Sequence, residues 1–126
     1  VKVLDGRTIV VTSYGDPFKV RLACIRTPQL PQGSSGLAAK AALEALLLPG
    51  AWVTLSKRSK AADGVELAEI IPVGSRVPIN LSLVQVGLAT LDRQAASPCH
   101  QEIYREAEMR AQAMQLGLWW PSPGTR

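Results

Sequence analysis

Residues 20–29 read Val20-Arg21-Leu22-Ala23-Cys24-Ile25-Arg26-Thr27-Pro28-Gln29. The first half is rich in apolar residues, as a buried strand is. Proline cannot donate to a sheet ladder and keeps the residue before it out of the helical region, so the strand has to stop at Thr27-Pro28. A chain with this stretch must pack a strand against a core and turn it at a polar, proline-fixed corner. Side chains at such a corner are held rigidly, which suits a site.

Turn signals divide the rest. Residues 1–4 read as a strand, Asp5-Gly6-Arg7 as a hairpin turn and 8–13 as the returning strand, because glycine supplies the positive φ that tight hairpins need. Tyr14-Gly15-Asp16-Pro17 makes a second turn into a third strand over 18–25, completing a meander. A Pro/Gly/Ser loop covers 30–36. A helix is expected over 37–48, capped by Ser34 or Ser35, with Leu37, Ala41, Leu43, Leu47 and Leu48 at helical spacing and Pro49-Gly50 as its stop. A strand over 51–56 offers Trp52, Val53 and Leu55 for packing. Residues 57–64 read as a basic turn, 65–72 as a strand and 73–76 as a turn. A short helix over 79–87 has Asn80 as its cap, Leu81, Leu83, Val84 and Val86 as its apolar surface and Gly87 as its end. An extended segment over 88–91 precedes a helix over 101–115 that presents Ile103, Ala107, Met109 and Met114 inward. This order suits an α+β domain, mainly a five-stranded Greek-key barrel of OB type with about three helices packed against it. Patterning alone also admits other α+β arrangements.

Length and composition bound the reading further. The 126 residues, 47% of them hydrophobic, fit one domain with a real core. Its expected extent is 1–120, with 121–126 as a flexible tail. No apolar run reaches the roughly 18 residues of a membrane span. The chain opens on a strand-like stretch without Met, as an excised domain or processed product does, so any targeting segment would lie outside it. A formal charge of +4 and a pI near 9.4 suit a polyanion partner or a solvated basic surface. Cys99 and its neighbour His100 fall short of a tetrahedral zinc site. Whether Cys24 and Cys99 pair depends on the fold and stays open at this stage. The tryptophans Trp52, Trp119 and Trp120 fit core or tail packing better than a stacking platform.

Five stretches together carry a family resemblance. They are Val3-Leu4-Asp5-Gly6-Arg7-Thr8, residues 20–29, Asp63-Gly64-Val65-Glu66-Leu67-Ala68, residues 80–89, and the pair Ala107-Glu108-Met109-Arg110 with Leu116-Gly117-Leu118-Trp119. In that order they resemble the staphylococcal nuclease-like (thermonuclease) domains, whose patterns run V-x-D-G-D-T, V-R-L-x-x-I-D-T-P-E, Y-G-R-x-L-A, V-N-x-x-L-V-x-x-G-x-A, A-x-x-A-R and x-G-L-W. The resemblance covers almost the whole chain and implies the OB-type barrel.

It also implies a chemistry: calcium-assisted phosphodiester hydrolysis, with two aspartates on the metal, a glutamate positioning water and two arginines on the phosphate. Here the two ligand aspartates correspond to Arg7 and Arg26, the glutamate to Gln29 and the second arginine to Val65, while Arg21 is retained. Gln29 keeps hydrogen-bonding shape but takes no proton near neutral pH. Exchanging two carboxylates for two guanidiniums shifts the local charge by about four units, and at surface-like dielectric a single pair 4 Å apart already interacts by roughly 4 kcal/mol. No family calcium, and no other metal or cofactor, is expected. The expectation is a catalytically degenerate domain in which Arg7, Arg21 and Arg26 bind an anion, such as single-stranded DNA or RNA, with Lys57, Arg58 and Lys60 lengthening the track. Three readings stand beside it. In the first, Arg7 and Arg26 only neutralise Asp5, Asp63 or Glu66; in the second, the domain is a protein-interaction scaffold in a larger protein; in the third, Asp5, Asp63, Glu66 and Glu69 support residual hydrolysis.

Overall fold

The computed structural model of the chain describes residues 2–27, 33–92 and 99–120. Val1, Pro28, Gln29, the rest of the loop to residue 32, residues 93–98 and the tail at 121–126 lie outside that description. Strand β1 (Lys2–Val3) meets β2 (Thr8–Ser13) across the first turn. Oδ1 of Asp5 organises that turn by accepting hydrogen bonds from the backbone N–H groups of Arg7 at 2.8 Å and Thr8 at 2.9 Å. β3 (Asp16–Leu22) returns through Tyr14-Gly15, whose φ values of 51° and 85° match the left-handed pair that a two-residue hairpin needs.

The expected third strand over 18–25 is interrupted. Cys24 takes a φ of 71°, and the chain bends there into a separate strand, β4 (Ile25–Arg26). α1 (Gly33–Leu46) starts earlier than expected, so Ser34 and Ser35 lie within the helix range. Its buried line is Ala39 and Leu43, continued by Leu47, whereas Leu37, Ala41 and Leu48 are exposed. β5 (Val53–Lys60) runs antiparallel to β6 (Glu66–Pro72), and β6 runs parallel to β3. The result is a five-stranded mixed sheet in the order β1-β2-β3-β6-β5, open between its outer strands. With its three helices this is the expected α+β class with an OB-like sheet, short of full closure. β7 (Thr90–Leu91) pairs antiparallel with β4.

Two helices complete the core: α2 (Ile79–Gln85) and α3 (Gln101–Ala113). Ile9, Val20, Leu43, Ile70, Ile79, Leu83 and Val84 are sealed from solvent at its centre. Asn80 is sealed there too and is not a cap; Pro78 occupies the N-cap of α2. The Asn80 side chain accepts from the Ile70 N–H at 3.0 Å and donates to the carbonyls of Ala23 at 2.9 Å and Ala68 at 3.0 Å. It thereby ties α2 to β6 and to the corner after β3. A buried amide is retained only with such partners. α3 turns a different face inward from the one expected: Tyr104, Ala107, Glu108 and Ala111 are buried, and Ile103, Met109 and Met114 are exposed. The inner phenol and carboxyl are satisfied, since Tyr104 donates to Glu69 and Glu108 accepts from the Leu91 N–H at 2.8 Å. Gly87 ends α2 as expected and has a second constraint. A Cβ there would lie 2.2 Å from the Leu116 carbonyl oxygen, where the chain crosses back toward the 3-10 turn Gly117–Trp119. No helix among the described residues is long and apolar enough to cross a membrane.

Candidate functional site

The corner after β3 builds a cleft of about 370 Å³ lined by Arg7, Arg21, Arg26, Thr27, Leu67 and Asp92, among others. Three separate pieces of chain supply its arginines. Arg7 leaves the first turn beside β3, where its carbonyl accepts from the Leu22 N–H at 2.9 Å. Arg21 sits near the end of β3, opposite Thr8. Arg26 lies on β4, re-aimed by the left-handed Cys24. That bend is fastened twice: Asp92 donates its backbone N–H to the Cys24 carbonyl at 3.0 Å, and Cys24 forms a disulfide with Cys99 across 6.4 Å between their Cα atoms. The disulfide settles the pairing that the sequence leaves open.

Carboxylates adjust the charge of the cleft. Asp63, from the β5–β6 turn, takes both terminal nitrogens of Arg21, with Nη1 donating at 3.1 Å and Nη2 at 2.6 Å. The hydrogen bonds from Arg21, and next from the Val65 N–H, hold the Asp63 carboxyl below the usual aspartate range. Arg26 Nε lies 3.8 Å from Oδ1 of Asp92, an ion pair beyond hydrogen-bond length. Two buried polar atoms of the lining have no hydrogen-bond partner: Arg21 Nε and Thr27 Oγ1.

The remaining candidate positions lie elsewhere. β5 continues through residues 57–60 in place of the expected basic turn, and none of Lys57, Arg58 and Lys60 lines the arginine cleft. A register shift between Lys57 and Ser59 leaves Arg58 as the extra residue of a bulge, a device that re-aims a side chain. Its guanidinium meets Oε1 of the buried Glu69 through Nε at 3.1 Å and Nη2 at 2.6 Å, while Tyr104 donates to Oε2. Lys57 sits 6.0 Å from the Phe18 ring centroid, and Lys60 lies 3.9 Å from Glu66. Val65 lies outside the cleft lining, and Gln29 falls outside the described residues. Trp52 is 80% exposed and Trp120 is also exposed, so neither packs as expected. Asp92 and Thr27 are functional candidates that the sequence reading passes over. Asp92 has no motif around it, and Thr27 reads there only as the residue before a proline. Among the described residues no three His, Cys, Asp or Glu side chains cluster as a metal site would require.

Residues 19–121 match the family described as staphylococcal nuclease homologue, which is most of the chain. The chain belongs to the staphylococcal nuclease family. A Haemophilus influenzae (strain Rd) protein named "Uncharacterized endonuclease" is 32% identical over 120 residues, covering 94% of this chain and 64% of that relative. The chain thus spans just under two thirds of the relative's length. Within the family frame Arg21 and Arg26 fall inside the matched range, and Arg7 precedes it.

Proposed function

We propose that this nuclease-like domain grips single-stranded nucleic acid by its backbone, at the Arg7–Arg21–Arg26 cleft, and does not perform the calcium-dependent hydrolysis its family resemblance implies. The observation that carries this reading is that Arg7, Arg21 and Arg26, from three separate pieces of chain, line one cleft. Guanidinium forks match phosphate oxygens, and neutralising the backbone is the sequence-independent part of nucleic-acid affinity. Calcium takes six to eight oxygen ligands, mostly carboxylate. The cleft lining contains one carboxylate, Asp92, set against Arg26, so this donor set does not fit the ion. The four carboxylates open to a residual-hydrolysis reading are each engaged: Asp5 with its turn amides, Asp63 with Arg21, Glu66 with Lys60, and Glu69 with Arg58 and Tyr104.

The test is a titration of labelled single-stranded oligonucleotides at several salt concentrations. Each phosphate contact on a single strand contributes about 0.7 to the slope of log affinity against log salt. The Arg7→Ala/Arg26→Ala protein is expected to flatten the slope by about 1.4 on that basis. A wild-type affinity that ignores salt would overturn the reading and favour a protein partner. Calcium-dependent cleavage would favour the activity in the relative's name.

A further inference from the structure

The disulfide between Cys24 and Cys99 is not equally open at its two ends. Cys24 is half-buried and lines both the arginine cleft and a second cleft of about 490 Å³ against α3. Of these two clefts Cys99 lines only the second, and it is 7% exposed. Before Cys24 the chain is tied to the core, since the Ala23 carbonyl accepts from Asn80 and the Ala23 N–H donates to the Ala68 carbonyl. After Cys24 the backbone and charge contacts run to residues 90–92: the Cys24 carbonyl to the Asp92 N–H, β4 to β7, and Arg26 to Asp92. A ladder of two residues on each side is marginal by itself. Cys24 also holds a φ of 71°, which a non-glycine residue keeps only where its surroundings impose it. The disulfide is the covalent part of those surroundings.

We propose that Cys24 is a thiol-exchange site, through which a small thiol reductant opens the disulfide and loosens the Arg26 corner. The inference rests on the proposed backbone grip for its consequence, but not for its chemistry. A reductant thiolate attacks Cys24 Sγ, and a new S–S bond forms as the bond to Cys99 breaks. Cys99 leaves with the electron pair as a thiolate and takes up a proton. A second reductant thiolate then attacks the reductant sulfur bound to Cys24, and Cys24 leaves in the same way. The two reductant thiols end as one disulfide, and both cysteines end as thiols. Cys99 directly precedes His100, the N-cap of α3. Burial works against a thiolate at Cys99 and the helix N-terminus works for it, so access decides which sulfur is attacked. Once the bond is open, Ile25 keeps its side chain in the core, while the exposed Arg26 loses its fixed aim. Arg7 and Arg21 are held by the first turn and β3 and stay in place, so the grip falls from three guanidiniums to two.

The experiment has two arms on the whole chain. In the first, the oxidised protein is treated briefly with reduced glutathione, free thiols are trapped with iodoacetamide, and the products are mapped by peptide mass. Glutathione is expected on Cys24 and the acetamide group on Cys99, in large excess over the reverse arrangement. An even or reversed distribution would overturn the site, and this arm does not depend on the reduced chain staying folded. In the second, the chain is fully reduced with dithiothreitol and titrated with an oligothymidylate at several salt concentrations. Loss of one phosphate contact should flatten the slope of log affinity against log salt by about 0.7. Arg26→Ala should flatten the slope of the oxidised chain and change nothing further in the reduced one. Amide hydrogen exchange should rise at residues 24–26 and 90–92 on reduction, with β2, β3 and β6 still protected. An unchanged slope in the reduced chain would overturn the switch and leave the grip standing. Exchange that rises throughout the sheet would show that the bridge holds the whole fold, and would overturn the local switch too. An oxidised chain that does not bind the oligonucleotide would overturn the grip, while the trapped products and the exchange still decide the thiol site and its effect on the corner.

Discussion

Arg58 shows how one residue can be committed by its strand position. On its charge alone it belongs with Lys57 and Lys60 as a backbone contact. The bulge in β5 turns it toward Glu69 instead, and the two meet with Glu69 almost fully buried. Removing one partner of such a pair leaves a charge in a poorly solvated place, which costs far more than the intact pair gains. Arg58→Ala is therefore expected to lower unfolding stability by about 3 kcal/mol, read as a shift in urea midpoint, with the salt slope of oligonucleotide binding unchanged. A changed slope with unchanged stability would return Arg58 to the binding track. The same scale explains what the sequence does and does not disclose. Arg7, Arg21 and Arg26 stand at positions the family pattern marks, so their meeting was legible. Asp92 closes the same cleft from 66 residues beyond Arg26, through a pairing of β4 with β7 that no local pattern announces.

At the scale of elements, α3 and β5 expose the limits of apolar spacing. Trp52 and the pair Val53 and Leu55 cannot all face inward from one strand, since side chains alternate. Val53 and Leu55 take the inner face, and Trp52 is left outside. On α3 the inner positions 104, 107, 108 and 111 keep helical spacing, but two of them are Tyr104 and Glu108, which a hydrophobic pattern passes over. Tyr104 gives this packing a pH signature. Burial first, and the Glu69 carboxylate second, push its phenol well above the ordinary value of 10.0. The folded chain therefore holds its proton where the unfolded chain has lost it. This contribution is complete below about pH 10 and is lost as pH rises from there toward the folded value. Thermal melts should show stability falling with pH above about 10. Tyr104→Phe should remove this part of the fall and cost roughly 1.5–3 kcal/mol at neutral pH, where its hydrogen bond to a carboxylate is missing. Identical alkaline slopes in the two proteins would contradict the assignment.

For the molecule as a whole, the meander and the helix order follow from turn residues and family pattern, and both are present, whereas the parallel pairing of β6 with β3 comes from the structure. What sequence leaves open is how the arginine corner is fastened to the rest. The Cys24–Cys99 disulfide spans 75 residues and joins that corner to the start of α3. Closing a loop of this length restricts the unfolded chain, an effect of typically 2–4 kcal/mol. Cys24→Ser/Cys99→Ser should lose stability of that order in chemical denaturation, and an unchanged midpoint would show that the bridge is dispensable. The central claim is a nuclease scaffold that retains a grip on phosphate without the family's metal chemistry. Its most direct test is a combined binding and cleavage assay on labelled single-stranded DNA and RNA, with calcium and with a chelator. The account predicts salt-steep binding that is the same in both and no calcium-dependent cleavage. Calcium-dependent cleavage that copurifies with the domain, and disappears on replacing Asp92 or Asp63 by alanine, would contradict it.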